Sequence, residues 1–312
     1  MNTILKMLIG LFCGWMASAG AGPAKAQGFK CEPVGTPEWR VLGDGAEWAK
    51  FDVRFTPYHR DSQTWDGETT RSVTVRAIRI DHEKIELRFH RSGKDLPCDP
   101  AQDRYIRKLL TDSKVPALGA INASFFVMPN GNTLGVALDE RKLWNPNVGD
   151  QVISSSGVLS LQGQEWKLES RDVFLQRHGS VLRTDDAGQY RFALQAFPRL
   201  LLEGQLQISD RVREDKRPRT SIGLTQNPSQ VMLVTIDAGA GGGEDSNSGM
   251  SLYEYSHLLG APGCGLTQKT VLNLDGGGST AFAIPSKGIY HQADRCRHLG
   301  NILMIQSRSK KK

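Results

Sequence analysis

Phe51-Asp52-Val53-Arg54-Phe55 alternates apolar and charged side chains, and Val73-Thr74-Val75, Ile78-Arg79-Ile80 and Ile85-Glu86-Leu87-Arg88-Phe89 repeat the pattern. A period of two is the signature of strands that bury one face. Working outward, Asp61 to Thr70 is polar and turn-like, and Ala117 to Phe126 is an apolar strand running into a polar turn. Short strands broken by Gly, Asn and Pro follow: Val152–Ile153, Val158–Leu161, Val173–Leu175, Phe192–Phe197, Leu200–Leu202 and Val231–Ile236. The last are Val271–Leu274, Thr280–Ile284 and Ile302–Ile305.

Helical spacing appears twice. Tyr105, Ile106, Leu109 and Leu110 place a helix over Asp103–Thr111, closed by Pro116. Leu252–Leu259 is the second, with Ser251 and Glu254 in a capping-box arrangement. Many short strands with few helices predict an α+β fold: a single domain with a mixed, largely antiparallel sheet, not a doubly wound one.

At 39% hydrophobic and 23% charged residues, the 312-residue chain excludes collagen, coiled coil and wholesale disorder. Its one long apolar run, Met7 to Ala19, follows Lys6 and precedes Ala24-Lys25-Ala26. Thirteen residues are too few to span a bilayer, which needs about 20. The pattern reads as a secretory signal peptide over 1–26, with Phe12 too bulky before Cys13 for a lipoprotein signal. Export to a periplasm or to the medium is therefore expected, without stable membrane insertion after cleavage.

Cleavage leaves 286 residues and removes Lys6 and Lys25, so the net charge falls from +6 to +4. Arg308, Lys310, Lys311 and Lys312 supply that excess in a 308–312 tail read as a frayed, solvated terminus. A near-neutral body without a basic, aromatic-interleaved stripe argues against nucleic acid. Cys31, Cys98, Cys264 and Cys296 survive cleavage, an even number suited to disulfides in an oxidising compartment. Of three pairings, Cys31–Cys98 with Cys264–Cys296 keeps each bridge within one half of the chain. No C-x-x-C is present, so a zinc site is the weaker reading.

Four segments carry candidate chemistry. In Val271-Leu272-Asn273-Leu274-Asp275-Gly276-Gly277-Gly278-Ser279-Thr280 a strand ends with Asp275 at the lip of a three-glycine turn. Successive glycines let N–H groups converge as an anion-binding nest, with hydroxyls from Ser279 and Thr280; a tight hairpin turn capped by Asp275 reads equally well. The G-K-[ST] of a P-loop is missing. A loop from Asp237 to Asp245 follows a strand and carries Asp237, Glu244 and Asp245. It only mimics a dinucleotide fingerprint, and its oxygens suit Ca²⁺ or Mg²⁺ if they are not simply solvated. Arg217-Pro218-Arg219-Thr220 offers a guanidinium fork to phosphate or carboxylate, or else a surface arginine pair. Asn122, at the end of a buried strand, suits a sugar hydroxyl or a turn cap. G-x-S-x-G and H-E-x-x-H are both absent. His257 reads as packing or surface; His291 and His298 flank Cys296 as weaker site candidates.

Taken together, six segments resemble the phosphodiester glycosidase family: I-N-A-S-F-F at 121–126, F-P-R-L-L-L-E-G at 197–204, R-P-R-T-S-I-G at 217–223, S-G-M-S-L-Y-E at 248–254, N-L-D-G-G-G-S-T at 273–280 and H-L-G-N-I-L at 298–303. The resemblance runs from about Val73 to Ile305 and implies a family domain over 73–307 behind an N-terminal strand and loop segment, 27–72. It implies hydrolysis of a sugar–O–phosphate bond at the anomeric carbon of a carbohydrate or glycan substrate; separately, no cofactor is expected beyond the Ca²⁺ or Mg²⁺ the acidic loop would suit. Asp275 is the expected catalytic carboxylate, and Asp237 or Glu244 its partner. Arg219 and the Gly276, Gly277 and Gly278 turn, with Ser279 and Thr220, would hold the phosphate, while Asn122 positions the sugar. Two other functions fit the same residues: an exo-glycosidase on an unphosphorylated polysaccharide, and a non-catalytic carbohydrate-binding matrix protein.

Overall fold

A computed structural model describes residues 28–59, 62–91, 105–127, 131–140, 142–148, 155–209, 216–238, 249–294 and 297–308. Among the described residues the alternating segments become three large antiparallel sheets beside two two-stranded ones, Phe126–Val127 with Asn132–Thr133 and Tyr58–His59 with Thr64–Trp65, as the α+β expectation required. The largest runs through Cys31–Pro33, Ala46–Phe55, Arg71–Asp81, Gln230–Ala238, Arg219–Thr225, Gln268–Asn273, Arg199–Leu202 and Gln205–Leu206, with Arg40–Gly43 on its edge. The second orders Ile289–Gln292, Ala281–Ile284, Gly119–Asn122, Asn301–Ser307 and Ile85–Arg91. In the third, Lys142–Asn145, Ala137–Asp139, Tyr190–Ala196, Gly157–Gln162 and Glu165–Ser170 lie side by side.

Burial follows from the period. Val231 and Leu233 face the common core, where Ile78, Ile222 and Leu272 of the first sheet meet Ile121, Phe282 and Leu303 of the second and Leu159 and Phe192 of the third. Met232, Val234 and Ile236 point the opposite way, against Tyr255 and Leu258 of the helix Leu252–Gly260. That helix begins at the expected capping box, Ser251 with Glu254. Helix Tyr105–Ser113 covers the outer face of the second sheet. The strand Arg71–Asp81 runs through the expected boundary at 72/73 and pairs along its whole length with Ala46–Phe55.

Three expectations change. Val173–Leu175 lies not in a strand but in the helix Arg171–His178, capped by Ser170, which accepts the Val173 N–H. Three residues were too short a window to show the period: Phe174 alone is buried, while Val173 is 45% exposed. Cys31 pairs with Cys264, which overturns Cys31–Cys98 and Cys264–Cys296 together. Antiparallel pairing lays Cys31–Pro33 on Ala46–Phe55 beside the turn Pro262–Cys264, leaving the two Cα atoms 6.0 Å apart across 233 residues of sequence. Cys98 and Cys296 lie outside the described residues, as do residues 1–26, the expected signal peptide, and Lys310–Lys312. Arg308, finally, is no frayed end: both its terminal nitrogens meet Glu140, and its Nε donates to the His82 carbonyl at 3.2 Å.

Candidate active site

Antiparallel neighbours bring the C-terminal ends of Gln230–Ala238 and Gln268–Asn273 beside the N-terminal end of Arg219–Thr225. In the second sheet, Asn122 and Ala281 close the same rim. A backbone bond ties the two sheets there, from the Asp275 N–H to Ala123 O (3.1 Å), while Leu274 N–H to Thr220 O (2.8 Å) extends the pairing within the first sheet.

Asn122 is the hub of that rim. It is 1% exposed, its Nδ2 donates to Asp275 O at 2.6 Å, and its Oδ1 accepts from the Thr220 hydroxyl (2.7 Å) and the Ala281 N–H (2.9 Å). A buried amide with these partners fixes the backbone carrying Asp275.

Asp275 itself is half-buried. Burial raises its carboxyl to about 6 against opposing help from the Ser279 hydroxyl, the Gly276 N–H at 2.9 Å and the charge of Arg297. The glycine turn tightens around it. Gly277 has φ +60°, where side chains are disfavoured. Two of the expected anion donors are already engaged: Gly276 N–H by Asp275 Oδ1, and Gly277 N–H by Pro218 O at 2.8 Å. Ser279 and Thr280 N–H groups likewise close the turn onto Gly276 O and Gly277 O.

Three arginines border the turn. The expected Arg219 packs its side chain against Gly276. It is 9% exposed and shares the face of its register partner Ile236, turned toward the helix Leu252–Gly260, and its Nε donates to Met250 O at 2.9 Å. Exposed Arg217 packs against Gly277 as well, and exposed Arg297 against Gly278. Gly249 makes this crossing feasible: it has φ +128°, and a Cβ there would sit 2.2 Å from Arg217 O.

Asp237 belongs to a second group on the core-facing side of the first sheet. Its Oδ2 meets Arg76 Nη1 at 2.8 Å and His291 Nε2. Burial would raise this carboxyl, but the His291 and Arg76 contacts outweigh it and hold the group below the usual carboxylate range. Thr220 pairs with Thr235, so Asp237 lies on the diagonal from the Asn122–Thr220 hydrogen bond. Glu244 and Asp245 lie outside the described residues.

Sequence reasoning passed over the stacked pair Phe125–Phe197, with ring centroids 4.0 Å apart and planes within 15°. Both rings are half-buried next to the Asp275 strand, since Asn273 Nδ2 donates to Phe197 O at 2.8 Å. Only the doubled aromatic after Asn122 and the Phe before Pro198 hinted at it. His257, by contrast, is packed among Phe29, Trp65 and Tyr253, and burial lowers it to about 4. His298 packs on Tyr105 and Phe126. Among the described residues no group of three or more His, Cys, Asp or Glu gathers as a metal site, and no helix is long and apolar enough to cross a membrane.

A fold of three antiparallel sheets whose strand ends hold Asp275, Asn122 and a glycine turn agrees with what the sequence motifs implied. The phosphodiester glycosidase family profile matches residues 116–306, more than half of the chain, and the chain belongs to that family. It is accordingly a hydrolase acting on phosphodiester-linked sugars. In fold it is similar to the catalytic domain of zebrafish N-acetylglucosamine-1-phosphodiester alpha-N-acetylglucosaminidase, solved auto-inhibited by its pro-peptide. That likeness has a TM-score of 0.60 at 17% identity, over 90% of this chain and 88% of the other. A hypothetical protein from Synechocystis is similar as well, with a TM-score of 0.55 at 14% identity, over 90% of this chain and 68% of the other. No curated protein matches the chain in sequence.

Proposed function

We propose that this chain is an exported glycosidase that hydrolyses a sugar-1-phosphodiester at the anomeric carbon, with Asp275 as the catalytic carboxylate. The observation that carries the reading is Asp275 itself: a half-buried carboxyl raised to about 6, on a turn bracketed by Arg217 and Arg297. A phosphomonoester is a good leaving group, so the reaction needs less acid assistance than an ordinary glycoside. What it needs is negative charge at the anomeric carbon and positive charge at the departing phosphate. Asp275 meets the first demand, being mostly ionised at pH 7.

The phosphate charge falls to exposed Arg217 and Arg297, with buried Arg219 holding Met250 and the crossing strand in place. Asn122, its amide engaged within the protein, positions the sugar through the Asp275 backbone rather than by touching it. An apolar sugar face fits against the Phe125–Phe197 stack. Export is supported by the leader-like first 26 residues and by the disulfide Cys31–Cys264.

The test assays the exported protein against sugar-1-phosphodiesters and matched aryl glycosides, with Asp275→Asn alongside. Cleavage of the phosphodiesters alone, lowered at least about 1,000-fold in the variant, is expected. Cleavage of the aryl glycosides instead would favour the polysaccharide enzyme. Sugar binding without turnover would favour the matrix protein.

A further inference from the structure

Arg199 stands where the third sheet hands the chain to the first. Ala196 ends the strand Tyr190–Ala196, Phe197 and Pro198 cross over, and Arg199 opens the strand Arg199–Leu202. The crossover is held to the Asp275 strand: the Asn273 N–H donates to Pro198 O at 3.0 Å, and Asn273 Nδ2 to Phe197 O at 2.8 Å. Arg199 therefore lies two residues from the Phe125–Phe197 stack. Its register partner is Leu272, three residues before Asp275, which is about 10 Å of extended chain.

The side chain turns with Leu272 toward the third sheet, and its stem lies against Gly157, where a Cβ would meet Arg199 Cγ at 2.6 Å and Cδ at 2.9 Å. Gly157 pairs with Ala196 on one side and with Ser170 on the other, and Ser170 caps the helix Arg171–His178. What this half-buried guanidinium lacks is a partner. Among the described residues it makes no ion pair and no side-chain hydrogen bond, and its Nε is buried without an acceptor. Burial disfavours its charge, and Asp172 supplies the opposing attraction. Asp172, however, is already engaged by Arg171, whose Nε and Nη2 reach its Oδ1 at 3.0 and 2.7 Å. An unpaired cation drawn out of water is a cost to the fold, so packing gives no account of it. A guanidinium fork does match a carboxylate or a phosphate, through two parallel hydrogen bonds.

We infer that Arg199 is a specificity subsite for an acidic sugar, receiving a carboxylate or phosphate carried on the ring away from the anomeric carbon. The inference rests on the phosphodiester glycosidase reading, which sets the anomeric carbon at Asp275 and the ring face on Phe125–Phe197, and it names the substrate class that reading leaves open. Arg217 and Arg297 flank Gly277 and Gly278, past Asp275 along the chain, whereas Arg199 lies before it beside the stack. The departing phosphate and the second anion thus belong to opposite ends of the sugar. Arg199 acts through binding and takes no part in bond breaking.

The test titrates the exported full-length protein with glucuronate, glucose 6-phosphate and glucose by calorimetry. At least one acid is expected to bind wild type about tenfold or more tightly than glucose, and which acid it is separates a carboxylate from a phosphate. Arg199→Gln and Arg199→Met are each expected to lose that preference, with glucose affinity held within about threefold. Thermal unfolding adds a readout that a structural role would not give. Without sugar, both variants are expected to melt at or above the wild-type Tm, because an unpaired charge is gone, while the preferred acid raises the Tm of wild type only. Equal binding of the three sugars by wild type overturns the inference, as does an acid preference that survives both substitutions. A Tm lowered in both variants makes Arg199 structural and overturns it equally. Phosphodiester turnover beside equal sugar binding would leave the reaction standing and remove the subsite. Acid-preferring binding that both variants lose, without turnover of any phosphodiester, would keep the subsite and remove the reaction.

Discussion

Asp275 and Asp237 end adjacent regions of one rim and have been given opposite surroundings. Around Asp275 the neighbours are mainly neutral donors, a hydroxyl and one N–H, and burial wins, raising the carboxyl to about 6. Around Asp237 the contacts with His291 and Arg76 outweigh burial and hold the carboxyl below its usual range. Such a divergence between neighbouring titratable groups is how one scaffold separates chemical roles. The charge of Asp237 is met by partners within the protein, whereas that of Asp275 forms against its burial.

Removing what holds the Asp275 region should give the largest effect on stability. Asn122→Ala strips a donor from Asp275 O and an acceptor from the Thr220 hydroxyl and the Ala281 N–H, all at a buried rim. A loss of about 3–4 kcal/mol is expected by urea denaturation. A loss under about 1 kcal/mol would show that the rim holds itself without its hub.

Opposite signs are expected when each carboxylate is neutralised. Asp237→Asn leaves Arg76 and His291 facing a neutral group and should cost about 3 kcal/mol at pH 7. Asp275→Asn should instead add about 2 kcal/mol at pH 7, since it removes a desolvated charge whose folded value lies near 6 rather than 3.8. Folded Asp275 holds its proton more tightly than the unfolded chain does, so its cost appears as pH rises from about 4 to about 6. The gain in Asp275→Asn should therefore vanish below about pH 4. Asp237 behaves in the reverse way: its contribution is present above the ordinary carboxylate range and fades as pH falls through its lowered folded value. Denaturation midpoints of both variants across about pH 3–8 check this, and equal signs at pH 7 would end the comparison.

The smallest effect is expected at Gly277, which has φ +60° but room for a Cβ, with Arg217 Cδ 3.8 Å away. Gly277→Ala should cost about 1 kcal/mol of stability from backbone strain alone. A larger change in KM for the phosphodiester than this strain explains would place Arg217 on the phosphate.

The antiparallel sheets were legible because period-two alternation survives wherever one strand face is buried, as in Phe51–Phe55 and Ile85–Phe89. The capping box at Ser251 and Glu254 was legible for a similarly local reason. Val173–Leu175 failed because β-branched and aromatic residues in a three-residue window carry no period. At the site, Asp275 and its glycine turn stood out as a motif, and Asn122 stands on the same rim, bonded to Asp275 O, the Thr220 hydroxyl and the Ala281 N–H. Arg219 was the natural choice of the two arginines by sequence. Arg219 begins the strand Arg219–Thr225 and is buried against the neighbouring helix, whereas Arg217 lies before the strand and is exposed.

By itself, then, the sequence determined the strand-rich class, the family and the segment carrying Asp275, since each is written in local spacing and residue type. Only the tertiary structure decided that Cys31 meets Cys264, that His291 meets Asp237, and that Phe125 stacks on Phe197. Those partners are separated by 233, 54 and 72 positions, and their meeting depends on which strands become neighbours and which face each side chain takes. Sheet order and facing are set by the burial of the whole core, a global balance that no short stretch of chain encodes.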